Sequence, residues 1–248
     1  MTPRTAGGRK RMKRRKAMGL LVGFGLVALA TLPMASVFAR TTPPLTAGAR
    51  YNARLQPVPH DAAADKGSNV TGTSRLRVVG GRLHVDLHVT GLTPNLPHAM
   101  HIHGELAARN ECPPAGADQN TGDAGDPVTS DFVPGVPDGL VSLTEGAPFY
   151  GPVQVSLTKD DEPTSPNVAL LVEKFPVANS NGVIDYHRTF TVPHKVAAKL
   201  GKLHIVVHGL DINGDGEYGS YTDVNGFTQK SFFMEATLPV ACGTIQHH

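Results

Sequence analysis

The stretch LPHAMHIHGELAARNECPPAGADQNT, residues 96–121, places three histidines within six residues and then Cys112, one of only two cysteines in the 248-residue chain. Its HAMHIHG segment reads as a β-strand, and side chains two apart on a strand share a face. His101 and His103 therefore project together. Two imidazoles side by side invite a metal ion, or else they form the polar face of a strand in water. A third ligand decides between these readings.

Outward from this stretch, strand-like runs recur between Gly, Pro, Asn and Asp punctuation. RLRVVGGRLHVDLHVTGL (75–92) predicts a hairpin around Gly80-Gly81. VQVSLT (153–158), VALLVEKF (168–175), YHRTFTV (186–192) and KLHIVVHGL (202–210) predict further strands, and PHKVAAKL (193–200) a short helix. With 27 Gly, 20 Pro and no Trp, the pattern is all-β, an antiparallel sandwich or flattened barrel.

Residues 1–39 hold eight Lys/Arg and no acid, then an uncharged run from Ala17, a Pro33 break and a small residue at Ala39. That is the pattern of an export signal, either cleaved after Ala39 or kept as an N-terminal anchor, since 23 uncharged residues can span a bilayer. The pair Arg14-Arg15 also allows a twin-arginine route. The predicted organisation is a signal peptide or anchor over 1–39, a linker over 40–50 and one β-domain over 51–248. The expected location is secreted or in the cell envelope, with membrane contact only through the leader.

From residue 40 onward 15 basic residues face 21 acidic ones, a net charge of about −6 that opposes phosphate-driven nucleic-acid binding. No Ser-His-Asp elbow, phosphate-binding glycine loop or dinucleotide fingerprint is present. In an oxidising compartment Cys112 and Cys242 are expected to pair, the alternative being two separate buried thiols. Closing a loop of about 130 residues stabilises a fold by roughly 4 to 5 kcal/mol in the chain-entropy model.

The third ligand is sought in KLHIVVHGL, where an apolar strand ends at His208, followed by Gly209 and an acidic loop. The series GLTPNLPHAMHIHGEL, CPPAGADQNT, VVHG and LPVACGTI resembles the copper/zinc superoxide dismutases over residues 51–245. The shared pattern is H-x-x-H-x-H at His98, His101 and His103, Cys112 nine residues later, V-V-H at His208, and A-C-G at Cys242. The resemblance implies a Greek-key β-barrel, a Cys112–Cys242 disulfide, and copper held by His101, His103 and His208. His98 then packs and hydrogen-bonds behind the site, and superoxide is the substrate.

Departures from the pattern set further expectations. Where the family bridges copper to zinc with a histidine, six residues after the first cysteine, this chain has Asp118. The segment QNTGDAGDPVTSDFVPG that follows contains no histidine, and Asp123, Asp126 and Asp131 are its only acids. A normal zinc site is therefore not expected. Where the family places an anion-steering arginine, three residues before the second cysteine, stands Pro239. Slow dismutation of superoxide to hydrogen peroxide and oxygen is expected. Two alternatives use the same residues. Three histidines plus Asp118 would make a closed structural zinc site without catalysis, and HAMHIHG with YGPVQVSLT also resembles the CHRD domain, a secreted β-module that needs no metal.

After His208, DINGDGEYGSYTD opens like a calcium-binding EF-hand loop with Asp211, Asn213 and Asp215, but Thr222 stands where the bidentate Glu belongs. It reads either as a calcium site or as a plain Asp/Asn/Gly turn. His84 and His88 share a strand face with Asp86, which reads as a minor metal site or as a solvated polar face. His187, His194 and His204 show no partner spacing, and His247-His248 read as an exposed tail.

Overall fold

A computed structural model describes residues 48–60, 69–107, 110–114, 116–117, 140–211, 214–218, 221–222, 228–229 and 233–248. The leader and Asp118, Asp123, Asp126, Asp131, Asn213 and Asp223 lie outside the described residues. Among the described residues there are eleven strands: β1 (Ala49–Pro57), β2 (Thr71–Val79), β3 (Arg82–Thr90), β4 (Met100–His103), β5 (Val153–Ser156), β6 (Ile184–Thr191), β7 (His204–His208), β8 (Tyr221–Thr222), β9 (Thr228–Gln229), β10 (Pro239–Thr244) and β11 (Gln246–His247). Three short helices join them, α1 (Leu143–Tyr150), α2 (His194–Ala197) and α3 (Phe233–Thr237). The fold is all-β, as the punctuation predicted. β1 begins two residues before the expected start of the β-domain at residue 51.

The predicted hairpin forms because Gly80 (φ 56°) and Gly81 (φ 78°) both take left-handed backbone, the requirement of a tight two-residue turn between twisted strands. Around it β3 alternates strictly. Leu83, Val85, Leu87 and Val89 are buried, while Arg82, Asp86 and His88 are exposed. Each fully buried side chain of this kind contributes about 1.5–3 kcal/mol. The main sheet runs β5-β4-β7-β10-β1-β2-β3-β6, antiparallel throughout, with β11 added to β1. It curls into a half-barrel around one apolar core that includes Leu55, Leu87, Met100, Ile102, Ile205 and Val207.

The edge strands β5 and β6 do not pair, yet a side chain ties them. Arg188 of β6 donates to the Thr158 carbonyl (2.9 Å) and Thr158 Oγ1 (2.7 Å), just beyond β5, and to the Glu162 carbonyl (2.7 Å). Its guanidinium also stands 5.6 Å from the Phe190 ring centroid.

The two halves of the sheet differ on their outer faces. β1, β2, β3 and β6 turn an alternating, exposed polar face outward. β4 and β7 are buried at every residue, which requires cover on both faces. Part of that cover is the segment predicted as the strand VALLVEKF, and here the structure corrects the sequence. Ser165 caps Asn167 N–H, Pro166 opens a 3₁₀ turn over Pro166–Val168, and a second turn spans Val172–Lys174. A short apolar run suits a covering segment as well as a strand, and a capped proline tips it into a turn. Among the described residues no helix is long and apolar enough to cross a membrane.

Candidate metal centre

β4 and β7 pair in the register His101↔Val206 and His103↔His204, and residues directly opposite share a face. His101 and His103 therefore stand outside the sheet with His204, Val206 and His208, while Met100, Ile102, Ile205 and Val207 fill the core. The alternation that aims the apolar residues inward aims the histidines outward. They meet cover there rather than water, with His101 at 3%, His103 at 3% and His208 at 2% exposure.

Each of these three imidazoles donates one N–H to a backbone carbonyl. His101 Nε2 bonds Ala169 O (3.2 Å), His103 Nδ1 bonds Gly151 O (2.8 Å) and His208 Nδ1 bonds Thr237 O (2.7 Å). A carbonyl can only accept, so each bond fixes a tautomer and leaves a lone pair on the other nitrogen. Those other nitrogens, His101 Nδ1, His103 Nε2 and His208 Nε2, are buried and have no partner. The ligand atoms of the three residues lie within 4.8 Å of one another. Metal–imidazole bonds of about 2.0–2.1 Å hold nitrogens of one ion within roughly 4 Å, so the cluster fits an ion after a shift of less than about 1 Å. Three buried lone pairs with no donor are costly unless a cation takes them. The donor set fits copper or zinc.

The cluster borders a cavity of about 40 Å³ whose remaining lining includes Ala99, Leu143, Val153, Ala169, Leu170, Val172 and Ala236. Aromatic rings pack against it edge-on, Phe175 5.1 Å from His101 and Tyr150 4.6 Å from His103 between centroids. Burial lowers all three histidine pKa values, His103 to about 3 and His208 to about 4, with neighbouring imidazoles adding to the effect at His101 and His103. The rings are thus neutral at pH 7 and ready to bind.

Folded apoprotein keeps His103 and His208 neutral, with no second ring proton to displace, at pH values well above about 4, so metal affinity should stay flat between pH 5 and 8. Histidines with ordinary pKa values near ~6.5 would lose affinity below that value. The unfolded chain does protonate below ~6.5, so apoprotein stability is full above that pH and falls as pH drops toward 4. Each such histidine costs up to about 1.4 kcal/mol per pH unit. Calorimetric metal titration and urea unfolding across this range check both; affinity falling below pH 6.5 in still-folded protein would contradict the first.

His98 is fully buried behind His208. Its Nδ1 lies 3.0 Å from the His208 carbonyl and 3.2 Å from Tyr218 Oη, and its Nε2 lies 3.0 Å from the Thr93 carbonyl. Gly209 (φ 109°) leaves room for this packing, because a Cβ there would collide with Tyr218 Oη and His98 Nδ1. Cys112 and Cys242 form a disulfide, with Cα atoms 5.7 Å apart. Glu111 N–H, beside Cys112, bonds the Phe149 carbonyl at the end of α1, two residues before the carbonyl that holds His103. Pro239 is buried at the start of β10, opposite His208, and its carbonyl accepts from His60 Nε2 (3.1 Å).

Other expected residues go elsewhere. Both Asp211 carboxylate oxygens accept backbone N–H groups, from Gly214 (2.8 Å) and Gly216 (2.9 Å), and Asp215 accepts from Glu217 (2.9 Å). These bonds close the turn at Asp211, and Asn213, the third residue of the expected calcium loop, lies outside the described residues. His84, His88 and Asp86 do not converge; each bonds across to β6, at Thr189 Oγ1, Asp185 and His187. Sequence reading missed His204, which faces His103 across the strand pair, and His60, which is held between Val141 N–H and Pro239 O. Neither has a spacing that signals it, because strand register and loop return create both neighbourhoods.

No family model matches the chain, and no curated protein matches it.

Proposed function

We propose that this is an exported copper-binding protein of the copper/zinc superoxide dismutase kind that turns over superoxide slowly. The observation that carries the proposal is the set of three buried, tautomer-fixed imidazoles whose lone pairs converge without a carboxylate or thiolate among the described residues. Neutral imidazole suits both oxidation states of copper. Further support comes from the strand order, in which β3 pairs with β6 and β4 with β7, so that longer connections join strands that are not consecutive, as Greek-key connections do. The disulfide supports export, since such bonds persist in oxidising compartments.

Bound copper would supply one-electron chemistry, taking an electron from one superoxide and returning it to a second, which yields oxygen and hydrogen peroxide. The chain's own residues limit the rate. The ring N–H groups of His101, His103 and His208 are committed to carbonyls, so no ligand delivers a proton and solvent must do so. The apolar cover of Leu143, Leu170 and Val172 makes an entering anion shed its water. No arginine stands at Pro239, and the net charge of about −6 after residue 39 repels the substrate.

The copper-loaded chain should therefore react with superoxide at least ~10-fold below the diffusional ceiling of about 10⁸–10⁹ M⁻¹s⁻¹. Added salt should raise the rate, because it screens a repulsion. Pulse radiolysis at several ionic strengths tests this. A rate near the ceiling that falls with salt would overturn slow turnover. No turnover at full copper occupancy would leave a copper-holding protein without catalysis, and retention of zinc in preference to copper would favour a structural zinc site completed by Asp118.

A further inference from the structure

The outer face of β1, β2, β3 and β6 carries Arg50, Arg54, Arg75, Arg77 and Arg82, all exposed, five of the eight arginines found after residue 39. The net charge of about −6 over that part of the chain conceals this concentration. Strand register makes it a lattice. Arg50 lies directly across from Arg77, and Arg77 from His84; Asn52 lies across from Arg75, and Arg54 from Thr73. Successive rows are about 7 Å apart along the strands and neighbouring strands about 5 Å apart. Among the described residues no carboxylate forms an ion pair with any of the five guanidinium groups, and the two acids of the face, Asp86 and Asp185, are bonded to His187 and His88. A groove of about 810 Å³ lined by Asn52, Arg54, Arg75, Asp86, His88 and His187, among others, runs over this face.

Like charges directly opposite each other on neighbouring strands destabilise a sheet. The Arg50–Arg77 pair keeps that cost with no counter-charge of its own, which an anion bound from outside would relieve. We infer that this face binds a carboxylate-bearing glycan. The planar guanidinium fork matches a carboxylate with two parallel hydrogen bonds. Asn52, Gln56, Thr73 and Thr90, interleaved with the arginines, offer amide and hydroxyl partners to a sugar chain. The face has no exposed Phe, Tyr or Trp ring on which single-stranded bases would stack, and its exposed imidazoles, His88 and His187, are bonded to Asp185 and Asp86. The exposed large apolar residues that a lipid surface would take up, Leu170, Leu171 and Val177, lie outside these strands. The inference is independent of the metal site.

Calorimetry and affinity electrophoresis of the full chain with polygalacturonate test it, with neutral dextran, duplex DNA and anionic phospholipid vesicles as comparison probes. One variant carries Arg50→Gln, Arg54→Gln, Arg75→Gln and Arg77→Gln. The other removes four exposed charges elsewhere, by Lys159→Gln, Lys195→Gln, Lys199→Gln and Lys202→Gln. The basic leader is common to all three proteins, so only differences are read. The arginine variant should bind polygalacturonate at least ~10-fold more weakly with a shallower salt dependence, while the lysine variant keeps most of the affinity. The thermal midpoint of the arginine variant should match or exceed that of the wild type, because the Arg50–Arg77 repulsion is gone. Should that variant not fold, Arg50→Gln with Arg77→Gln alone is expected to lose part of the affinity. Equal losses in both variants, no loss in the arginine variant, equal binding of neutral dextran, or tighter binding of DNA or vesicles than of polygalacturonate would overturn the inference.

Discussion

In a His208→Ala variant, tight copper binding is lost. His208 reaches the cluster from β7 whereas His101 and His103 both come from β4, so its removal leaves two imidazoles on one strand and opens the far side of the site. Loss of a supporting hydrogen bond around a metal costs roughly 10- to 100-fold in affinity, and loss of a ligand should exceed that. The clearest reading is thermal. Copper at 100 times its dissociation constant stabilises the wild type by about 2.7 kcal/mol, and the rise in melting temperature that this produces should vanish in the variant. The same is expected of His101→Ala, whereas His247→Ala, an exposed substitution, should keep the full shift. An undiminished copper-induced shift in His208→Ala would count against the site.

The second large effect belongs to the disulfide. Replacing Cys112 and Cys242 by Ser should destabilise the protein by roughly 3 to 5 kcal/mol, since the bond closes a separation of 130 residues. The loss should reach the metal site as well. Cys242 lies on β10 opposite Val206, packed in a small cluster with Val58, Val141, Tyr150 and Val206, and Cys112 adjoins the Glu111–Phe149 bond that holds the end of α1. When that end loosens, the Gly151 carbonyl no longer orients His103. Urea unfolding of oxidised and reduced protein measures the first effect, and copper titration of still-folded reduced protein the second. Identical midpoints in the two redox states would contradict the structural role.

Much of this was legible in the chain because strand periodicity is local. The turn at Gly80-Gly81, the alternation of β3 and the shared face of His101 and His103 follow from residues within a few positions of each other. The pairing of two cysteines 130 residues apart was legible for another reason, that only two are present. What was not legible depends on the return of distant segments. Ala169, Gly151 and Thr237 act through backbone carbonyls, which every residue carries, so nothing in their identity announces the role. VALLVEKF was misread because an apolar run tells of burial and not of conformation, and a segment laid over a sheet is buried like a strand within it. The basic outer face was hidden for a third reason. Net charge sums over the whole surface, whereas register decides which charges stand together, as Arg50 and Arg77 do.

The most direct test is electron paramagnetic resonance of protein loaded with one equivalent of Cu(II), read together with its copper content. One copper per chain with superhyperfine coupling to three imidazole nitrogens is the expected result, from His101, His103 and His208. Copper that dialyses away, or a spectrum with coupling unchanged in the His208→Ala variant, would contradict a metal centre at these residues.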